Sequence, residues 1–122
     1  MTTSVSYTLP ANGHNLTGTG SANLTLVGNA LNNVITPNSG ADTLTGHGGS
    51  DTFVFSPGQR AELVTDFNAH DQLDVSAYLT AGMNPSFQAH GGYTTVQFAD
   101  GDTIVLLGVH ASTLHLNGHY IT

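Results

Sequence analysis

Between residues 24 and 55, apolar side chains recur on a beat of nine: Leu26, Ile35, Leu44 and Phe53. Aligning "GNALNNVIT" (28–36), "PNSGADTLT" (37–45) and "GHGGSDTFV" (46–54) puts the last three at the eighth place and Asn33, Asp42 and Asp51 at the sixth. One unit earlier Leu26 keeps the eighth place, but the sixth is Leu24, with Asn23 one residue early. Each unit reads as a six-residue polar turn followed by a three-residue strand that points one apolar side chain inward. Such a unit cannot bury its apolar face alone, so the units must stack. With two units per coil, residues 18 apart share a side. Leu26 then stacks on Leu44 and Ile35 on Phe53, while Asn33 lies over Asp51 and Asp42 over the degenerate Leu24 turn.

Beyond the repeats the pattern changes. "DVSAYLTAG" (74–82) places Val75, Tyr78 and Leu79 at helical spacing, with Gly82 to end the turn. "YTTVQFADGDTIVLL" (93–107) alternates on both sides of a polar turn and predicts a β-hairpin. Its alternation puts Tyr93 and Phe98 on opposite faces of the sheet, so at least one belongs to the core. Fifteen glycines and many Thr, Asn and Val support strands and turns throughout. The expected fold is all-β: a short parallel β-roll continued into a small antiparallel sheet or sandwich. We divide it as 1–27 (N-terminal strands and the degenerate repeat), 28–55 (the nonapeptide repeats) and 56–122 (the C-terminal β segment), all within one module of 122 residues.

Charge narrows the chemistry. Eight acidic residues face one cation, Arg60, for a net charge of −7. Phosphate backbones and anionic membrane surfaces need basic patches that this chain lacks, so neither nucleic acid nor a membrane is an expected partner. No apolar run is long enough to cross a bilayer, and "MTTSVSYTLPANGHN" lacks the basic start and apolar stretch of a secretory leader. The expectation is therefore a protein that stays inside, one exported by a route that ignores its N-terminus, or a C-terminal module. With no cysteine, disulfides and thiolate metal sites are excluded.

Stacked turns that face carboxylates toward one another repel unless a cation lies between them. Calcium suits such a place, taking six to eight oxygens from carboxylates, amides and backbone carbonyls in flexible geometry. Here the sequence resembles a known family. "GNALNNVITPNSGADTLTGHGGSDTFVF" (28–55) is similar to the G-G-x-G-x-D-x-U-x nonapeptides of RTX proteins, which form calcium-loaded parallel β-rolls. Departures are Pro37 for a leading glycine, Leu31 for a middle one and His47 for a second one. "LVTDFNAHDQLDVSAYL" (63–79), with Asp66–Phe67 followed by Asp71 and Asp74, resembles the segment after the last repeat in serralysin-type C-terminal modules and alginate-epimerase R-modules. The "LLGV…L…YI" ending resembles the terminal strands of type I secreted proteins, and the likeness spans residues 16 to 122.

The leading calcium candidates are Asn33 and Asp51 from directly stacked turns, supplemented by the carbonyls of Gly28, Ala30, Gly46 and Gly48. A second site would use Asp42 completed by Asp66 or Asp71, because in the resembling proteins a late aspartate caps the last turn. The alternative is that these Asp and Asn residues only form turns, hydrogen-bonded to backbone. Catalysis is not expected: there is no Gly-x-Ser-x-Gly elbow, no cysteine nucleophile and no lysine, and a hairpin turn explains the Asp100–Asp102 pair. The seven histidines show no His-Glu-x-x-His spacing; His115 and His119 fall in a strand and turn, and the set reads as scattered surface residues. What the resemblance implies is a calcium-binding, extracellular module that folds when it meets calcium and leaves the cell through the type I secretion machinery. The alternative function is a carbohydrate-binding module with structural calcium. It would take a neutral or calcium-bridged polysaccharide, with Tyr78, Phe87, Tyr93, Phe98 and Tyr120 as candidate stacking faces.

Overall fold

The computed structural model describes residues 1–58, 61–68 and 70–122; Arg60, the chain's one cation, lies outside the described residues. From its first residues the chain winds between two sheets. Strands β1 (Thr2–Thr3), β3 (Asn15–Gly18), β5 (Val34–Thr36), β7 (Thr52–Val54) and β9 (Gln72–Asp74) stack in parallel as one wall, sheet A. Strands β2 (Tyr7–Thr8), β4 (Thr25–Val27), β6 (Thr43–Thr45) and β8 (Ala61–Val64) stack in parallel as the other, sheet B. The three-residue strands predicted at 34–36, 43–45 and 52–54 are observed with those bounds.

One inward side chain per strand builds the core, because the period of a strand alternates its faces. In sheet A the column is Leu16, Ile35, Phe53, Leu73; in sheet B it is Leu26, Leu44, Val64, all fully buried. The expected stackings of Leu26 on Leu44 and Ile35 on Phe53 hold. Past Phe55 the coil lengthens: Phe53 pairs with Leu73 and Leu44 with Val64, twenty residues on instead of eighteen.

The roll ends in antiparallel structure. A short helix, α1 (Ser76–Thr80), lays Tyr78 into the core, and the chain leaves it through Gly82 at φ +82°, a left-handed conformation that favours glycine. Strands β10 (Ser86–Ala89), β11 (Tyr93–Gln97) and β12 (Thr103–Leu107) then form a meander, with β12 parallel to β8, so the predicted hairpin extends sheet B. After a 3₁₀ turn (Ala111–Thr113), the hairpin β13 (Leu116–Asn117) and β14 (Tyr120–Ile121) adds antiparallel to β9 and extends sheet A. The fold is all-β: a parallel roll of stacked coils joined to antiparallel strands. Among the described residues, no helix is long and apolar enough to cross a membrane.

Candidate functional site: the stacked turns

Two columns of turns connect the walls. The first, leading into sheet A, comprises 9–14, 28–33, 46–51 and the described residues 65–68 and 70–71; the second, leading into sheet B, comprises 19–24, 37–42 and the described residues 55–58. Each sixth-place side chain folds into the interior of its own turn and reaches the coil above. Asp51 Oδ1 accepts the Asn33 N–H at 2.9 Å, so the expected stacking of those two residues is present. Asp42 Oδ1 accepts the Leu24 N–H at 2.8 Å, and Asp71 Oδ1 the Asp51 N–H at 2.9 Å. The glycines at first place make room for this. A Cβ on Gly46 would collide with Asp51 Oδ2, and one on Gly28 with both Asn33 Oδ1 and the Gly46 carbonyl.

The carboxylates differ in what remains to them. Asp42 also accepts the Asn38 N–H (2.8 Å), Asp71 the Asn68 N–H (3.2 Å), and Asp66 both the Gly46 and His47 N–H groups (2.9 and 2.6 Å). For these three, both oxygens are occupied by backbone donors. Asp51 is different: Oδ2 is buried and has no hydrogen-bond partner among the described residues. Burial, first of all, and then the charges of Asp71 and Asp66 push its carboxyl up to about 7, against the Asn33 N–H, which lowers it. Burial likewise raises Asp42 and Asp71 above the ordinary carboxylate range.

The second site expected from the sequence is not assembled as proposed. Asp66 and Asp71 belong to the first column with Asp51, whereas Asp42 lies in the second, on the other side of the roll. Each return to the same side takes a full coil, and the two residues added to the last coil lengthen its excursion without moving Asp71 to the other column. Beneath Asp42 stands a residue the sequence reading missed, Glu62. The pairing of Thr43 with Leu63 sets Asp42 beside Glu62, as the pairing of Thr52 with Gln72 sets Asp51 beside Asp71. Glu62 is 3% exposed, and among the described residues neither carboxyl oxygen has a hydrogen-bond partner. Its carboxyl is pushed up to about 9, chiefly by burial and then by the charges of Asp42 and Asp102; the nearby Asp42 N–H lowers it without hydrogen-bonding to it. The legible signal was an acid at an inward-facing strand position, two residues before Val64 and outside the nine-residue frame.

Of the named carbonyl donors, Gly28 and Gly46 line the buried interior, while Ala30 and Gly48 sit at the exposed rim, one against the other. Gly49, at φ +80°, packs instead on the Leu31 carbonyl. Among the described residues no three His, Asp or Glu side chains converge on one metal-binding point. Asp51 Oδ2 lies against Gly46, whose own carbonyl faces Gly28, while Asn33 Oδ1 lies against Gly28 and accepts the Asn29 N–H at 2.8 Å; a carboxylate and backbone carbonyls are hard oxygens of the type calcium takes. The free carboxylate oxygens that such an ion could take are Asp51 Oδ2 and, on the other wall, the two of Glu62. The oxygens of Asp42, Asp66 and Asp71 each already accept a backbone N–H.

The proposed stacking aromatics divide. Tyr78 and Phe98 are buried and stacked on each other, with centroids 3.7 Å apart, and Tyr78 Oη donates to Asp102 Oδ2 at 2.8 Å. Tyr93 and Tyr120 are exposed but sit on different sheets; Tyr93 stacks on His90 at 4.4 Å. Asp100 Oδ1 accepts the Asp102 N–H, as a hairpin turn requires. Neither a protein-family model nor a curated protein matches this chain.

Proposed function

We propose that the protein is a calcium-binding β-roll module whose turns are closed by the ion at Asp51 in one column and at Glu62 in the other. The observation that carries this reading is the pair of buried acids with unpartnered oxygens, one per column, in a chain whose other stacked acids are satisfied by backbone N–H groups. Burial disfavours the charged form of both acids, so without an ion Asp51 and Glu62 are driven toward the protonated state. Calcium would supply the missing charge at Asp51 Oδ2 and draw on backbone carbonyls of the same column of turns. An ion that binds only the folded state adds about 2.7 kcal/mol at a hundred times its Kd.

This chemistry suits export. In a calcium-poor cytoplasm the turns around Asp51 and Glu62 would stay loose and the chain threadable; outside the cell calcium would lock them. Together with the resemblance to type I secreted proteins, it supports an extracellular module that uses the type I secretion machinery. Calorimetric titration of chelator-treated protein tests the reading: two calcium ions are expected, with Asp51→Asn and Glu62→Gln each removing one. An unchanged titration in both variants would refute the assignment.

Binding of a neutral or calcium-bridged polysaccharide is the second reading, supported by the exposed Tyr93 and its His90 neighbour. It predicts retention on a glycan matrix that Tyr93→Ala abolishes while leaving calcium binding intact.

A further inference from the structure

The second place of the repeat holds Asn29, Asn38 and His47 in successive units. Asn29 Nδ2 donates to two carbonyls of the coil above, Pro10 at 2.6 Å and Gly13 at 2.8 Å. Asn38 Nδ2 does the same in the other column, to Thr19 at 3.1 Å and Ala22 at 2.8 Å. In each case the two carbonyls come from the first and fourth places of the column neighbour, the unit eighteen residues earlier: 10 and 13, then 19 and 22. Each Asn also keeps its own turn, Oδ1 accepting the N–H two residues on, from Leu31 and Gly40. Asn33 reinforces the first arrangement, its Nδ2 donating to Gly13, His14 and Asn29 Oδ1.

Advancing by 18 residues from Pro10 and Gly13 leads to Gly28 and Leu31, and the Leu31 carbonyl faces Gly49 in the turn that carries Asp51. Here the second place is His47, exposed and held at φ +63°. Among the described residues no side-chain amide donates to the Gly28 or Leu31 carbonyl. In this same turn Asp51 Oδ2 has no hydrogen-bond partner among the described residues. An amide NH₂ carries two positively polarised hydrogens, enough to satisfy two convergent carbonyls. Where it is missing, two carbonyls and an acid are left for something positive.

We infer that Asn29 and Asn38 are built-in substitutes for the ion: they close the N-terminal turn pairs permanently and confine calcium dependence to the coils from Asp51 onward. The roll is thereby divided into an N-terminal part that holds its shape without calcium and a C-terminal part that does not. The part that is always closed offers a finished coil on which the rest can stack once the ion arrives, in keeping with nearest-neighbour propagation along stacked repeats. This inference rests on the calcium reading above.

Hydrogen exchange of the wild-type chain, in EGTA and in millimolar calcium, tests it. In EGTA the amides of 15–27 should exchange more than about tenfold slower than those of 46–54 and 61–74, and calcium should slow only the latter two. Protection of all segments rising together on adding calcium would overturn the division while leaving calcium binding in place. No response anywhere would overturn the calcium reading and this inference with it. A second arm is Asn38→Gly, which removes the amide that bridges the Thr19 and Ala22 carbonyls. In EGTA the amides of 19–27 should then lose at least about tenfold of their protection, and unchanged protection in a folded variant would refute the substitution.

Discussion

Asp42 and Asp51 occupy equivalent places nine residues apart, yet the structure gives them different work. Both oxygens of Asp42 hold backbone N–H groups, from Leu24 and Asn38, so its contribution is independent of any ion. Asp42→Ala should therefore destabilise the protein by about 3 kcal/mol in EGTA and in calcium alike, read by urea unfolding. Asp51 and Glu62 behave oppositely, because their folded carboxyls sit far above the unfolded values, at about 7 and about 9 against 3.8 and 4.5. The folded, ion-free protein holds protons that the unfolded chain releases. Its stability is then greatest below about pH 4 and falls as pH rises, Asp51's share being lost by about 7 and Glu62's by about 9. Urea midpoints in EGTA at pH 5 and pH 8 check this, and Glu62→Gln should flatten the decline. Once calcium holds both carboxylates the slope should reverse.

At the scale of elements, the turn is the working unit and glycine decides whether it can close. Gly46→Ala would drive a methyl into Asp51 Oδ2, so calcium affinity should drop by at least about tenfold, measured by titration. Gly91→Ala, with nothing within 4 Å, should leave stability within about 0.5 kcal/mol. The antiparallel cap is fastened by a different device: Asp102 Oδ2 accepts both Tyr78 Oη and the Gly58 N–H, each at 2.8 Å, joining α1, the β11–β12 turn and the loop after β7. Tyr78→Phe should cost about 1–2 kcal/mol by urea unfolding, without changing the ion count. These elements were differently legible in the sequence. Nine-residue spacing located β5, β6 and β7 and their inward residues, since a periodic turn–strand unit leaves one apolar position per strand. It did not locate Glu62 or assign Asp71 to the first column, because the two residues that lengthen the last coil carry no periodic signature. Nor did it reveal Asn29 and Asn38 as donors to the coil above. Asn in a turn is ordinarily explained by its own local hydrogen bond, and here it makes that one as well.

For the whole molecule, the two sheets share one continuous core, from Leu16 through Phe53 to Ile121 on one wall and from Leu26 through Val64 to Leu106 on the other. That continuity means closing the turns at Asp51 and Glu62 stabilises strands on both walls, and the antiparallel cap with them. Three of the chain's eight acids remain outside the buried set, Asp66, Asp74 and Asp100, so most of its acidic groups lie in the interior. An acidic protein arranged in this way calls for a cation inside more than for a polyelectrolyte partner outside. The most direct test of this account is a thermal melt followed by circular dichroism at pH 7.5, in excess EGTA and then in millimolar calcium. The account predicts a cooperative β-sheet transition in calcium, and in EGTA a transition at markedly lower temperature with part of the strand signal already missing. The same sharp melt in both buffers, on protein verified to be calcium-free, would contradict it and reduce the nine-residue beat to turn-forming hydrogen bonds.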